Sequence, residues 1–222
     1  MKVGYWGIKG RAYMTRCLLH YAGIEFEDIL YGSEQDPGAN AWFAELKPEL
    51  AKNACPIKCP SIPYIIDQIK EEEKPIHIFQ SMAVIKYAGR KANFCAETEQ
   101  GQQIEDIFWG FYAEQIDAAG KIVAIQDKDE KSAAAKKWGN EVLEKLQVIV
   151  DLHVKTGYEF LTGDKISWAD FVLFDLFEKA ITYAENASVG AGEKLKMHRE
   201  KLLCNEKLAE YVEAVKDVPH FP

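Results

Sequence analysis

The stretch Pro60-Ser61-Ile62-Pro63-Tyr64-Ile65-Ile66-Asp67 runs through the charged turn Lys70-Glu71-Glu72-Glu73-Lys74 into Ile76-His77-Ile78-Phe79, then into Gln80-Ser81-Met82-Ala83-Val84-Ile85-Lys86-Tyr87. Its reading decides the fold. The first and third pieces are short, β-branched and aromatic, which predicts two strands joined as a hairpin with a polar tip. The last piece and the residue after it carry Met82, Ile85, Tyr87 and Ala88 in an apolar set that predicts a helix opening at Gln80-Ser81. Toward the N-terminus the alternation continues. Lys2 to Gly7 is β-prone and ends in glycine, Gly10 to Gly23 spaces Met14, Cys17, Leu18, Tyr21 and Ala22 as a helix, and Glu25 to Tyr31 reads as a second strand. A loop rich in Gly, Asp, Pro and Asn follows from Gly32 to Asn40, then a weakly helical stretch from Trp42 to Leu50. The predicted order is β-α-β-α-β-β-α.

Beyond Glu97 the strand signals stop, and helices are expected over Glu99 to Gln126, Glu130 to Lys155, Ser167 to Glu185 and Lys194 to Val215. This shift predicts an α/β domain over residues 1–90 and an all-helical domain over 97–222. With 48% hydrophobic and 28% charged residues in 222, disorder and fibre are excluded. A net charge of -8, with basic residues scattered among acidic ones, argues against nucleic acid as a partner. No run of roughly 20 apolar residues could span a membrane, and Met1-Lys2-Val3-Gly4-Tyr5-Trp6 enters a strand with no secretion signal, so a cytoplasmic protein is expected. The odd count of five cysteines fits a reducing compartment. Cys55 and Cys59 have no second pair of ligands behind them and read as free thiols, with no metal expected.

Chemistry-bearing residues cluster in the first half. Tyr5 ends the first strand, at the carboxyl edge where ligands collect in open α/β sheets. A phenol there can hold an anion, and it equally suits a half-buried strand anchor. Ile62-Pro63 stands where a strand begins, because proline cannot donate to a central ladder. A cis bond there would leave the Ile62 backbone free to pair with an extended peptide, and an ordinary trans turn is the other reading. Gln80-Ser81 precedes a helix, where serine caps well and the free N–H groups can receive an anion. Ser167-Trp168-Ala169-Asp170 reads as a structural capping box with Asp in place of Glu.

Taken together, Tyr at the first strand end, a Pro-led strand and Gln-Ser at a helix start, in one such unit ahead of a helical domain, resemble a cytosolic glutathione transferase, the mu class closest. The wording Gly4-Tyr5-Trp6-Gly7-Ile8-Lys9-Gly10, Pro60 to Asp67, Gln80 to Tyr87, and Gly163-Asp164-Lys165-Ile166-Ser167-Trp168-Ala169-Asp170-Phe171 carries the resemblance across nearly the whole chain. It implies a thioredoxin-like domain that binds glutathione and a helical domain supplying the electrophile pocket and dimer contacts. It implies a cytoplasmic homodimer that conjugates glutathione to apolar electrophiles in detoxification, with reduced glutathione as co-substrate and no other cofactor, metal, nucleic acid or membrane involved. Substrates would sit between Ile8 to Tyr13 and the helices from Glu99 and Ser167.

Position by position, the resemblance makes Tyr5 the catalytic hydroxyl that holds the glutathione sulfur as thiolate. A free thiol with pKa ~8.5 is only about 3% ionised at neutral pH, and a ~2-unit drop is worth ~2.7 kcal/mol. Ile62, ahead of a cis Pro63, pairs with the cysteinyl unit, and Gln80 and Ser81 hold the γ-glutamyl end. Trp6 and Trp42 line the tripeptide site, and Lys47, with Lys52 as rival, meets the glycyl carboxylate. Five departures from the family pattern stand out. The chain between Trp42 and Pro63 is longer; the Lys70 to Lys74 hairpin tip is extended; Arg11 replaces an apolar residue that touches glutathione; Glu114 stands where an Asp reaches the γ-glutamyl amine across the dimer, with Asp117 one turn on; and Ala124 replaces a tyrosine. The alternatives are a glutathione-dependent isomerase of the sigma-like prostaglandin D synthase type and a non-catalytic scaffold that keeps the fold.

Overall fold

The computed structural model describes residues 1–32, 41–54, 58–70, 73–155, 157–184 and 192–221. Cys55 and the turn residues Glu71 and Glu72 lie outside them. The chain forms two units, Met1–Ala92 with Glu210–Pro222, and Asn93–Ala209.

The first unit is built on strands β1 (Lys2–Trp6), β2 (Glu27–Tyr31), β3 (Tyr64–Asp67) and β4 (Ile76–Phe79), in the spatial order β2-β1-β3-β4. β1 pairs parallel with β2 and antiparallel with β3, and β4 closes the hairpin antiparallel to β3. Side chains alternate across such a sheet, so each face has its own core. On one face, Val3 and Ile65 are fully buried together with Met14 and Leu18 of α1 (Tyr13–Ala22) and Val84 and Ile85 of α3 (Ser81–Ala92). Each such side chain contributes roughly 1.5–3 kcal/mol of hydrophobic stabilisation. On the other, Tyr64 lies opposite Gly4, and a Cβ on Gly4 would fall 2.1 Å from the Tyr64 ring. Tyr64 also shares a buried 2.7 Å hydroxyl hydrogen bond with Tyr31 and stacks on Trp42 at 5.7 Å. Burial and that neighbour push the Tyr64 phenol up, so it stays neutral.

α1 stops at Gly23, whose φ of +66° lets its N–H reach back to the His20 and Leu19 carbonyls. α3 is tied to the sheet near its far end, where Tyr87 donates to the buried Asp67 carboxylate at 2.7 Å and Lys91 adds an ion pair. Burial alone would raise the Asp67 pKa; the donors from Lys91 and Tyr87 outweigh it and hold the carboxyl below its ordinary value. Between β2 and β3 the weakly helical stretch resolves into a π-helical turn, Ala41–Leu46, and α2 (Lys47–Asn53), whose first turn accepts Pro48 because no N–H is needed there.

The second unit is helical: α4 (Glu99–Val123), α5 (Lys128–Lys155), α6 (Trp168–Tyr183) and α7 (Glu193–Leu203), with α8 (Glu206–Ala214) starting in it and ending in the first. The single helix expected over Lys194 to Val215 is two, because Asn205 accepts the Leu208 N–H at 3.1 Å and caps a new start. α6 opens on the expected capping box, Ser167 and Asp170 each bonding the other's backbone. In its interior Asp175 and Lys179 form a fully buried pair, to which Tyr112 donates at 2.7 Å. No helix of the described residues is long and apolar enough to cross a membrane.

Candidate functional site

The strand register gathers the predicted residues at one end of the sheet. Because Gly4 faces Tyr64 and Tyr64 faces Phe79, the residues just beyond those pairs, Tyr5 and Trp6 of β1, Ile62-Pro63 ahead of β3 and Gln80-Ser81 behind β4, share the edge where β1 and β2 end. That edge is where open α/β sheets take ligands.

Tyr5 is 7% exposed, and the turn after it is anchored residue by residue. Gly7 N–H donates to the Tyr31 carbonyl at 2.9 Å, and the Ile8 carbonyl accepts from Arg16 at 2.9 Å. Lys9 and Gly10 donate to the Pro219 and His220 carbonyls at 2.9 and 3.0 Å, and Arg11 N–H ends the series on the Tyr5 hydroxyl at 3.1 Å. A hydroxyl that accepts an N–H keeps its own hydrogen for another acceptor, and chained donors polarise each other. Gly10 is required here on two counts. Its φ is +43°, and a Cβ would lie 2.6 Å from the Tyr5 hydroxyl oxygen.

Beneath the turn, Arg16 is 3% exposed, with its guanidinium 6.0 Å from the centroid of the Tyr5 ring. Its Nε and Nη2 hold Asp28 at 3.1 and 3.0 Å. Burial pushes the Asp28 carboxyl up by more than Arg16 draws it down. The pair therefore serves placement of the turn more than stability.

The Ile62–Pro63 bond is cis and lies outside the ladder, immediately before β3. Ile62 is half-buried, and beside it the buried Ser61 hydroxyl has no partner among the described residues. Gln80 has φ +74°, a conformation that costs a non-glycine residue of order 1 kcal/mol. Its carbonyl accepts the first helical bond, from Val84 N–H at 2.9 Å. Gln80 is therefore the cap residue, and Ser81, expected there, is the first residue of the helix. Among the described residues neither side chain makes a hydrogen bond, so the opening amides of α3 and the Ser81 hydroxyl face the end of the sheet without a cap of their own.

Trp42 is 2% exposed, walled by Tyr64 and Tyr31, so any part it takes in binding acts through packing. Trp6 is half-buried and contacts Phe43 at 5.8 Å, and the Lys47 ammonium stands 5.6 Å over the Phe43 ring. Lys47 thus connects to the sheet end through Phe43 and Trp6; Lys52 is exposed at the end of α2, its carbonyl held by Lys58 at 3.0 Å. Glu114 and Asp117 are exposed on α4 in the helical unit. Cys59 is an exposed free thiol. The sequence reading missed the Arg11 backbone donor, the buried Arg16 and the 216–220 segment. Only the Gly7 to Gly10 spacing hinted at a close approach of backbone to Tyr5.

The family described as "Glutathione S-transferase, N-terminal domain" matches residues 1–90, and "Glutathione S-transferase, C-terminal domain" matches residues 116–215. The chain is 30% identical over 182 residues to Glutathione S-transferase Mu 4 of Mus musculus, covering 80% of this chain and 75% of that one. It is 28% identical to Glutathione S-transferase Mu 2 of Homo sapiens, over 99% of this chain and 93% of the relative. The crystal structure of the glutathione S-transferase Blo t 8 shares its fold at a TM-score of 0.76 and 19% identity, over 100% of this chain and 97% of that chain.

Proposed function

The chain belongs to the glutathione S-transferase family, and from that premise we propose that it is an enzyme joining the thiolate of reduced glutathione to apolar electrophiles, with Tyr5 as the group that holds the sulfur. The observation that carries this reading is the Arg11 N–H on the Tyr5 hydroxyl at 3.1 Å. It places a backbone donor on the inward side of the oxygen, and the phenolic O–H is the group that would meet the sulfur at the end of the sheet. A donor to the anionic form lowers a thiol's pKa, which converts a minor thiolate population into a major one.

In this reading the tripeptide lies extended along the sheet end. Its cysteinyl unit pairs with the backbone of Ile62 ahead of Pro63, and its γ-glutamyl carboxylate meets the opening amides of α3 and the Ser81 hydroxyl, with Gln80 beside them. Its glycyl carboxylate meets Lys47, and Trp6 forms the wall that Trp42 supports from behind. Arg11, half-exposed on the same turn, adds positive charge at the entrance, and Glu114 supplies a carboxylate to the γ-glutamyl amine from a second copy of the chain. The thiolate sulfur forms a bond to the electrophilic carbon, and the leaving group departs with its electron pair or, in an addition, the displaced pair takes a proton from water. We assign the chain to a mu-like, cytoplasmic homodimer whose glutathione-binding domain is residues 1–90 and whose helical domain begins at 97, the 97–222 span expected from sequence giving up residues 210–222, which group with the first unit.

The test is the ultraviolet thiolate absorbance of bound glutathione against pH in wild type and Tyr5→Phe. Thiolate present below neutral pH in wild type and lost in the mutant is the expected result. Glutathione that binds yet stays protonated in both overturns the role of Tyr5, and no binding at all overturns the glutathione site. Turnover of aryl halides rather than an endoperoxide separates conjugation from isomerisation.

A further inference from the structure

Residues Lys216 to His220 lie against the turn that follows β1. Lys9 gives its N–H to the Pro219 carbonyl at 2.9 Å, and Gly10 gives its own to His220 at 3.0 Å. The Lys9 ammonium, on a residue only 6% exposed, reaches the Lys216 carbonyl at 3.3 Å. His220, 4% exposed, meets the Tyr13 ring edge-on at 5.6 Å, and Tyr211 packs on Tyr13 at 6.1 Å and stacks on His20 at 4.2 Å. The short 3-10 turn Gly10–Ala12 starts with no side-chain cap of its own. The next N–H in the series is that of Arg11, the donor to Tyr5.

We propose that Pro219 and His220 are positioning residues for the thiolate chemistry, their carbonyls setting the direction of the Arg11 N–H toward the Tyr5 hydroxyl. This rests on the reading of Tyr5 given above. The two bonds fix the Ile8–Lys9 and Lys9–Gly10 peptide planes, and Gly10, lacking a Cβ, has no side chain to hold the next plane, which carries the Arg11 N–H. Hydrogen bonds weaken steeply once their angle opens, so a turn freed from these carbonyls loses the inward donor first. Tyr5 then binds sulfur as an unpolarised phenol. The γ-glutamyl and cysteinyl contacts, at the start of α3 and just ahead of β3, are untouched.

Stopping the chain after Val218 removes both carbonyls and the His220 ring, and His220→Ala removes only the ring that seats the segment on Tyr13. In the truncated chain the titration midpoint of bound glutathione is expected to rise by about one pH unit, with kcat falling about tenfold and KM for glutathione changing less than threefold. His220→Ala moves the midpoint in the same direction by less. A merely structural role changes melting temperature and KM and leaves the titration in place; a midpoint that superimposes on wild type in a folded, glutathione-binding truncation overturns the proposal. If the truncation does not fold, the same criterion applies to His220→Ala. If Tyr5→Phe leaves the wild-type titration unchanged, the Tyr5 reading is what has failed. The positioning claim is then decided by hydrogen exchange at the Gly10 and Arg11 amides, expected to be at least tenfold faster in the variants and overturned by equal rates.

Discussion

Two helices in this molecule begin at a serine, and their beginnings are built in opposite ways. At the start of α6, Ser167 accepts the Ala169 N–H at 3.3 Å, and Asp170 accepts the N–H groups of Ser167 at 2.8 Å and Leu161 at 2.9 Å, and it pairs with His198 at 2.9 Å. Ser167 and Asp170 are both fully buried. At the start of α3, Ser81 is already helical and Gln80 is exposed at φ +74°. α3 is anchored instead near its far end, through Tyr87 and Lys91 on Asp67. A helix start that satisfies itself is closed to ligands, whereas one held elsewhere can leave its donors open.

The comparison breaks most visibly at Asp170. Asp170→Ala orphans the buried N–H groups of Ser167 and Leu161 and removes the partner of His198, and is expected to destabilise the protein by about 3 kcal/mol, read as a lower urea midpoint with glutathione binding retained once folded. A cost below about 1 kcal/mol would make the α6 start as dispensable as that of α3. Ser81→Ala is the converse: KM for glutathione about tenfold higher, equivalent to ~1.4 kcal/mol, with the melting temperature within about 2 °C of wild type. A large loss of stability there would mean that Ser81 is structural after all.

Gln80→Gly sharpens the contrast, since glycine adopts a positive φ without penalty; a gain of up to about 1 kcal/mol is expected together with weaker glutathione binding. The smallest effect concerns the far anchor. A carboxyl held below its ordinary value of 3.8 contributes stability that is present above about pH 4 and lost as pH falls through the folded value. Asp67→Asn is therefore expected to flatten the acid limb of the stability curve while costing about 1 kcal/mol or less at neutral pH, Lys91 being one-third exposed. An unchanged acid limb would move the anchor of α3 elsewhere.

Most of the fold was legible because it follows local patterns. The short β-prone runs in Lys2 to Trp6 and Ile76 to Phe79, the glycine after Ala22 and the Ser-x-x-Asp at Ser167 each encode their own element. The break at Asn205 was not, since apolar spacing continues through it and only the Asn side chain marks the restart. The site was legible as residue types at strand and helix ends, through a resemblance more than through spacing. What stayed hidden were bonds made by backbone: the Arg11 N–H has no side-chain signature, and neither do the carbonyls of Pro219 and His220. Trp42 lies in the aromatic core between Tyr31 and Tyr64, a packing that its place in the sequence does not reveal.

The grouping of residues 210–222 with the first unit has a consequence in time. A ribosome working at roughly 5–20 residues per second makes the sheet, α1 and α3 first, then spends roughly 6–25 s on the helical unit before Pro219 and His220 exist. During that interval the sheet can close around Tyr64 and Trp42, yet the turn bearing Lys9 and Gly10 still lacks the Pro219 and His220 carbonyls. The unit that contains Tyr5 is thus begun first and finished last, and a nascent chain acquires its shape well before it acquires its chemistry.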